Sequence, residues 1–390
     1  MSVEFAFSRI RGEPLKILHI ITSLNIGGAE LMLKRLIESF KDERTYQHCV
    51  ISLTSLGVVG SALQKQGIEV YSLSFNFALA DFKKVFLLIK IIRVFSPDIV
   101  QTWMYHADLI GGISSYFAGY RKIIWGIRVT NIHSSSIMTL WIMKFCAFLS
   151  SIIPSKIICV AEAARQSHIQ NGYDASKMIV INNGLIFSDF NISEDNRRTL
   201  SLQCCFPHDC IVVGCVGRFD PIKDHHNFVF AAGLLAKQNA RVFFLMIGHN
   251  LTFENKVLSS WIDQTNHRDR FVLLGERSDI ATCLSLMDVF CLSSSIEGFP
   301  NALSEAMAMA LPCVSTDVGD VSILLGDTGI IVPKENSEAL ANALSHVIEL
   351  SSEQRQEMGE RGKERVFRNF SIEKAKKSFE SVYREITASC

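Results

Sequence analysis

The sequence carries no net charge, no C-x-x-C pair and no uncharged apolar run of the roughly 18 residues a membrane-crossing helix needs. The 39 Lys and Arg residues balance 39 Asp and Glu over 390 positions. A general nucleic-acid binder would show a marked basic excess, so that class is excluded. The balance is not local. Residues 1–195 hold 19 basic and 15 acidic side chains, leaving 20 and 24 for the remainder. Eleven cysteines are scattered through apolar runs, an odd number without metal-site spacing. Buried reduced thiols in a cytosolic protein are expected, rather than a disulfide framework or a zinc site. Residues Met1 to Pro14 lack a long apolar core, so no signal peptide is expected. Ile137 to Ile153 comes closest to a membrane span, but Lys144 interrupts it and a buried helix is expected. Neither G-x-G-x-x-G nor G-x-x-x-x-G-K-[ST] occurs, which counts against a dinucleotide dehydrogenase and a P-loop NTPase. D-x-D is absent as well, so a metal bridging a diphosphate to carboxylates is not expected.

What is present is alternation. The length suits two domains, and 48% hydrophobic residues can fill two large cores. Strand-like runs Lys16–Thr22, Gln47–Leu53, Glu69–Ser74, Asp98–Trp103, Lys122–Arg128, Lys156–Val160 and Met178–Asn182 are separated by helical patterns. The polar stretch Ser188 to Gln203 has no apolar period and is predicted as an interdomain linker. Alternation restarts at Ile211–Gly217 and ends in three helical stretches near 337–349, 352–368 and 371–387. Two successive doubly wound α/β domains follow. The boundaries read 1–187, a linker over 188–209, 210–370, and a closing helix over 371–390 that packs back on the first domain. Ligands in such sheets sit beyond the carboxyl ends of the strands, so the residues just after strands are the ones to inspect.

Three places stand out. Gly27-Gly28-Ala29-Glu30 follows the first strand and opens a helix, where paired glycines admit a ligand close to backbone N–H groups. A plain tight turn explains the pair equally well. Gly217-Arg218-Phe-Asp-Pro-Ile-Lys223-Asp224 sets two cations beyond a strand, suited to a diphosphate by a bidentate fork and a point charge. A solvated charged loop is the bland reading. Glu297-Gly-Phe299-Pro300-Asn301-Ala302-Leu303-Ser-Glu305 joins an apolar strand to a helix. The backbone N–H groups there can meet phosphate or sugar oxygens, and Glu305 sits among apolar neighbours where a buried carboxylate needs partners. Helix-dipole pairing for Glu297 and a salt bridge for Glu305 are the alternatives.

Together with Asn183-Gly184, S-D-I at 278–280 and T-D-V-G-D at 316–320, these segments resemble the retaining nucleotide-sugar glycosyltransferases of family 4. The resemblance runs from about Lys16 to Phe370 in the family's order. Trp103-Met-Tyr-His106-Ala-Asp108 and Trp125-Gly-Ile-Arg128 are similar to its bacterial surface-polysaccharide branch, including O-antigen galactosyltransferases.

The resemblance implies two facing Rossmann-like domains with a cleft between them (GT-B architecture). It implies a nucleotide-sugar donor, favouring UDP, as co-substrate without a cofactor or metal. It also implies a lipid-linked or saccharide acceptor. Arg218 and Lys223 would neutralise the leaving diphosphate, and Glu297 would contact the donor sugar. Gly27, Gly28 and Phe299 through Leu303 would line the donor, and Glu305 would hold its ribose. His106 and Arg128 would face the acceptor. Many relatives carry a His near position 128; here Arg128 stands there and His133 follows five residues later. A nucleotide-sugar 2-epimerase of the same architecture is the alternative enzyme, and a silent sugar-nucleotide binder the alternative class. The segment Phe82–Arg93 mixes Lys83, Lys84, Lys90 and Arg93 with bulky apolar residues. That pattern fits either a helix packed on its sheet or peripheral contact with the cytoplasmic face of an inner membrane.

Overall fold

A computed structural model describes residues 13–41, 43–77, 81–130 and 137–388. The chain divides into two compact units. Met1–Val160, Ala164–Ile181 and Ala375–Cys390 form the first, and Ala161–Ala163 with Asn182–Lys374 the second.

Among the described residues, the first unit holds a seven-stranded sheet. Its strands are β1 (Leu15–Ile21), β2 (Tyr46–Ser52), β3 (Glu69–Ser72), β4 (Ile99–Trp103), β5 (Ile123–Ile127), β6 (Lys156–Cys159) and β7 (Met178–Val180). The order is β3-β2-β1-β4-β5-β6-β7 and every pairing is parallel. Helices cover a parallel sheet on both faces, so β4 and β5 are buried at every residue, the polar Gln101 and Thr102 of β4 included. Strand order reverses between β1 and β4. The chain beyond β1 and the chain beyond β4 therefore flank one crevice at the sheet's carboxyl edge.

The helices between them are α1 (Gly28–Ser39), α2 (Gly57–Lys65), α3 (Phe82–Phe95), α4 (Tyr105–Phe117), α5 (Ile137–Leu149) and α6 (Glu162–Gln170). Helix α2 is absent from the sequence reading because Gly57 and Gly60 interrupt a short pattern with few buried positions. Helix α5 is not the buried helix expected. Only Met143, Cys146 and Ala147 are fully buried, while Ile137, Met138, Trp141, Phe145 and Phe148 are exposed. Its near-continuous apolarity hides which side faces the core.

The second unit has a six-stranded parallel sheet among the described residues. Its strands are β8 (Ile211–Val216), β9 (Val242–Ile247), β10 (Phe271–Gly275), β11 (Val289–Leu292), β12 (Cys313–Thr316) and β13 (Ile330–Val332), in the order β10-β9-β8-β11-β12-β13. Reversal here falls between β8 and β11. Its helices are α7 (Glu194–Cys204), α8 (His225–Gln238), α9 (Lys256–Gln264), α10 (Ile280–Leu284), α11 (Asn301–Ala308), α12 (Val321–Leu325), α13 (Ser337–Glu349) and α14 (Ser352–Asn369).

The predicted linker is a correction. Ser188 to Gln203 carries most of α7, and the division between units falls at Ile181 and Asn182. Ser193 stands at the N-cap position, and Glu194 and Asp195 complement the helix dipole. Leu200 and Cys204, one turn apart, are the buried contacts. Two apolar positions leave too little periodicity to see in sequence. Gly184 is needed where residues 184–185 run beside 370–372: a Cβ there would lie 2.6 Å from the Ile372 Cα.

The last helix, α15 (Ile372–Ala388), supplies residues from Ala375 onward to the first unit. Ala375, Phe379, Val382, Tyr383 and Ile386 form its buried stripe. The Tyr383 hydroxyl donates to Gln101 Oε1 at 2.6 Å, and Phe379 stacks near Trp103 at 6.2 Å between ring centroids. Burying such a ring stabilises by roughly 2–3 kcal/mol. Of the described cysteines, most are buried and none is disulfide-bonded. Burial pushes the Cys204 and Cys283 thiols up to about 11.

Asp108, in the first turn of α4, is fully buried and accepts from Thr102 Oγ1 at 2.5 Å and from the Gly126 amide at 3.2 Å. Burial raises its pKa from 3.8 to about 8 despite these donors and the Arg128 charge. The folded chain therefore holds a proton that the unfolded chain releases. This stabilisation is complete below pH 3.8 and drains away as pH rises to about 8. We expect wild type to lose stability relative to Asp108→Asn across that window in paired denaturant titrations. A difference that does not change with pH would contradict the assignment.

Candidate active site

The loop after β8 begins at Gly217 and turns through Asp220-Pro221. Pro221 opens a 3-10 turn over Pro221–Lys223, and Asp220 caps it by accepting from the Ile222 amide at 3.1 Å. Asp224 takes a left-handed conformation, φ 46°, and caps α8 through the Asn227 amide at 3.2 Å. Behind the loop His225 is buried and stacked on Phe219. Burial, helped by the Lys223 charge, brings its pKa down to about 4, so it stays neutral and acts as packing.

This folding aims Lys223 across to the loop after β11, the adjacent strand at the point of reversal. Lys223 Nζ lies 2.6 Å from Glu297 Oε1, and Ser294 Oγ donates to the same oxygen at 2.7 Å. The pair is half-buried. Two further hydrogen bonds hold the loops together: the Ser295 amide donates to the Ile222 carbonyl at 2.9 Å, and the Ser293 hydroxyl to the Lys223 carbonyl at 3.0 Å. Arg218 does not join this pair. It is 62% exposed and donates from Nε to Asp220 Oδ2 at 2.9 Å. Burial acts to raise the Asp220 pKa, but the Ile222 amide and the Arg218 guanidinium outweigh it and hold the carboxyl below its usual value.

Beyond Glu297 the chain enters α11. Phe299, Pro300 and Leu303 are buried, with Phe299 against Phe370, so only their backbone is available to a ligand. No side chain caps the N-terminus of α11. Asn301 Oδ1 accepts from Asn183 Nδ2 at 2.9 Å, and Ala302 is half-buried beside it. Glu305 corrects the expectation of a buried carboxylate: it is half-buried, on the open side of a helix whose Leu303, Ser304, Ala306, Met307 and Ala308 face inward.

The remaining candidates belong to the first unit. Gly27 is the N-cap of α1 and Gly28 its first residue. A Cβ on Gly27 would fall 2.4 Å from the Glu30 carboxylate. That carboxylate is buried, its pKa raised by burial, and it curls back onto its own helix start. Gly27 thus makes room for Glu30, and part of this helix's positive end is already matched by a carboxyl group. His106, in the first turn of α4, is half-buried against Phe77, with ring centroids 4.8 Å apart, and burial lowers its pKa. Arg128, just past β5, is half-buried with its guanidinium 4.4 Å from the Trp103 ring centre. Burial lowers its pKa to about 10, leaving it a cation at neutral pH. His133 lies outside the described residues.

The structure therefore brings Lys223, Glu297 and the start of α11 together. It holds Arg218 on Asp220, and carries Gly27, Gly28, His106 and Arg128 in the other unit. Sequence reasoning gave no role to Ser294, Asp220, His225 or Gly319. The Asp-Pro cap signature was the available signal for Asp220, and the T-D-V-G-D segment for Gly319.

Residues 26–186 match the family model described as Glycosyltransferase Family 4, and residues 204–365 the one described as Glycosyl transferases group 1. The chain belongs to the family 4 glycosyltransferases. This family 4 chain is 26% identical over 314 residues to a Staphylococcus aureus protein named as the capsular polysaccharide biosynthesis glycosyltransferase CapM, covering 78% of this chain and 81% of that one. It is 26% identical over 283 residues to an Escherichia coli protein named as a UDP-Gal:α-D-GlcNAc-diphosphoundecaprenol α-1,3-galactosyltransferase, covering 69% and 71%. Its fold is similar to a crystal structure of Anabaena HepE in complex with UDP and glucose. That TM-score is 0.83 at 21% identity, with 95% of this chain and all of that one covered. The two parallel sheets are those of the GT-B fold.

In this glycosyltransferase Gly319 fixes the Glu297 loop. Its φ is 54°, and a Cβ would sit 2.5 Å from the Glu297 carbonyl oxygen and 2.6 Å from that of Gly298. The Asp320 amide donates to the same Gly298 carbonyl at 3.0 Å. Gly319→Ala should cost about 2–4 kcal/mol, the sum of a left-handed non-glycine residue and a backbone clash. Denaturant midpoints measure it, and an unchanged midpoint would refute the close approach.

Proposed function

We propose that this glycosyltransferase is a retaining hexosyltransferase that takes its sugar from a UDP-sugar. The acceptor is a lipid-linked or oligosaccharide chain in cell-surface polysaccharide synthesis. The observation that carries the reading is the half-buried Lys223–Glu297 pair at the crevice between β8 and β11, with an uncapped helix start one step further along the chain. The names of the CapM relative and the diphosphoundecaprenol galactosyltransferase support the pathway and the acceptor class. The HepE complex with UDP supports the nucleotide.

In this reading the donor's diphosphate lies beyond the end of β8, where Lys223 supplies a positioned point charge and Arg218 a guanidinium reaching from the loop. Charge builds on the leaving diphosphate as the sugar becomes oxocarbenium-like. Fixed cations and helix-start N–H groups facing it stabilise that state without reorganising. Two side-chain cations do here what a metal does elsewhere, so no cofactor or metal is invoked. Glu297, held by Lys223 and Ser294, faces the sugar hydroxyls as an acceptor of hydrogen bonds, and Glu305 the ribose. His106, neutral because burial lowers its pKa, and the cation Arg128 face the acceptor. Transfer takes place on the cytoplasmic side, where nucleotide sugars are made.

Lys223→Ala and Arg218→Ala should each lower transfer by on the order of 10²-fold, as loss of one preorganised electrostatic group does. Lys223→Ala should have the larger effect, because it also leaves Glu297 unpaired in a half-buried setting. A mass-spectrometric screen of UDP-, GDP- and dTDP-sugars against lipid-linked acceptors reads both donor and product. Unchanged turnover in both variants would remove the donor-site assignment. An epimerised sugar nucleotide formed without acceptor would replace the reading with an isomerase.

A further inference from the structure

No described helix is long and apolar enough to cross a membrane, yet the first unit exposes bulky side chains that a water-facing surface does not need. They are not scattered. On α5 the exposed apolar residues fall at 137, 138, 141, 145 and 148, one stripe along the helix, with Trp141 70% exposed. On α3 Phe82, Phe86, Leu87 and Val94 form a second exposed stripe, and Phe117 ends α4 exposed as well. Helix α4 packs against both α3 and α5, so the stripes lie on neighbouring helices.

The charges on this surface have one sign. Lys83, Lys90 and Arg93 are exposed on α3 and Lys144 on α5, and neither helix contains an Asp or Glu. A second copy of this chain is a poor occupant. A two-fold contact would set the same cations against one another, at a cost that apolar burial must first overcome. An anionic bilayer surface suits both features: aromatic and aliphatic side chains enter between headgroups while Lys and Arg meet lipid phosphates.

We propose that α3 and α5, flanking α4, form a face that docks on an anionic lipid surface, with the α5 stripe inserted and the α3 cations on the phosphates. This deepens the reading of a lipid-linked acceptor, for which such a face would hold the enzyme where the acceptor is. It is tested without donor or acceptor, so its failure leaves the transfer reading standing.

The full chain is mixed with vesicles of phosphatidylcholine alone or of equimolar phosphatidylcholine and phosphatidylglycerol. Flotation and tryptophan emission are then followed. Trp141 is the reporter, since Trp103 and Trp125 are fully buried and Trp261 is half-buried. Flotation with the mixed vesicles and a blue-shifted emission are expected, with little of either on phosphatidylcholine alone. Lys83→Glu with Lys90→Glu should weaken partitioning by about 25-fold or more, at ~5-fold per cation. Trp141→Glu with Phe145→Glu should abolish the blue shift. All four positions are solvent-exposed, so these variants keep the fold, which circular dichroism verifies. No partitioning of the wild-type chain into mixed vesicles would overturn the proposal. So would equal partitioning of wild type and both variants. A concentration-dependent dimer in light scattering that Trp141→Glu dissolves would assign the face to a second copy and overturn it too.

Discussion

The Lys223–Glu297 ion pair is the contact on which the second unit's crevice depends. It joins the loop after β8 to the loop after β11 at the one place where strand order turns outward in both directions. Each partner would be expensive alone in its half-buried position, so each requires the other. The surrounding hydrogen bonds from Ser293, Ser294 and Ser295 fix both loops to the same geometry. Capping by Asp220 and Asp224 then determines where Lys223 starts, and Gly319 determines how closely the Glu297 backbone is approached. The ion pair is thus held from both sides by elements that have no chemistry of their own.

The first unit uses the same topology with a different anchor. Its reversal lies between β1 and β4, and the Arg128 guanidinium lies over both the Trp103 ring at the end of β4, at 4.4 Å, and the Phe379 ring, at 5.9 Å. The Arg128 guanidinium thus lies over aromatic faces, and it stays charged although burial lowers its pKa. Phe379 comes from the far end of the chain, so α15 is part of what shapes this region. Helices α3 and α5 bury only one side against this framework, and their outer faces stay exposed.

Much of this was legible in the chain. Alternating apolar runs and helical periods identified two doubly wound sheets, and with them the loops that follow each strand. Arg218, Lys223 and Glu297 were all named from spacing and residue type. Three readings failed for a shared reason. The polar helix α7 has two buried positions, the short helix α2 contains two glycines, and α5 is apolar nearly all round. In each case the pattern carries too little contrast between faces to reveal what the helix packs against.

By itself the sequence determined the fold class, the places where loops meet strand ends, and the charged residues available there. Those are consequences of periodicity and turn chemistry, which act over a few residues. Only the tertiary structure decided that Lys223 meets Glu297, 74 positions away, while Arg218 is taken by its neighbour Asp220. It also decided that Glu30 fills the space beside Gly27, and that α5 turns aromatic rings outward. Strand order and helix orientation come from the packing of the whole unit, and no local run of residues encodes them.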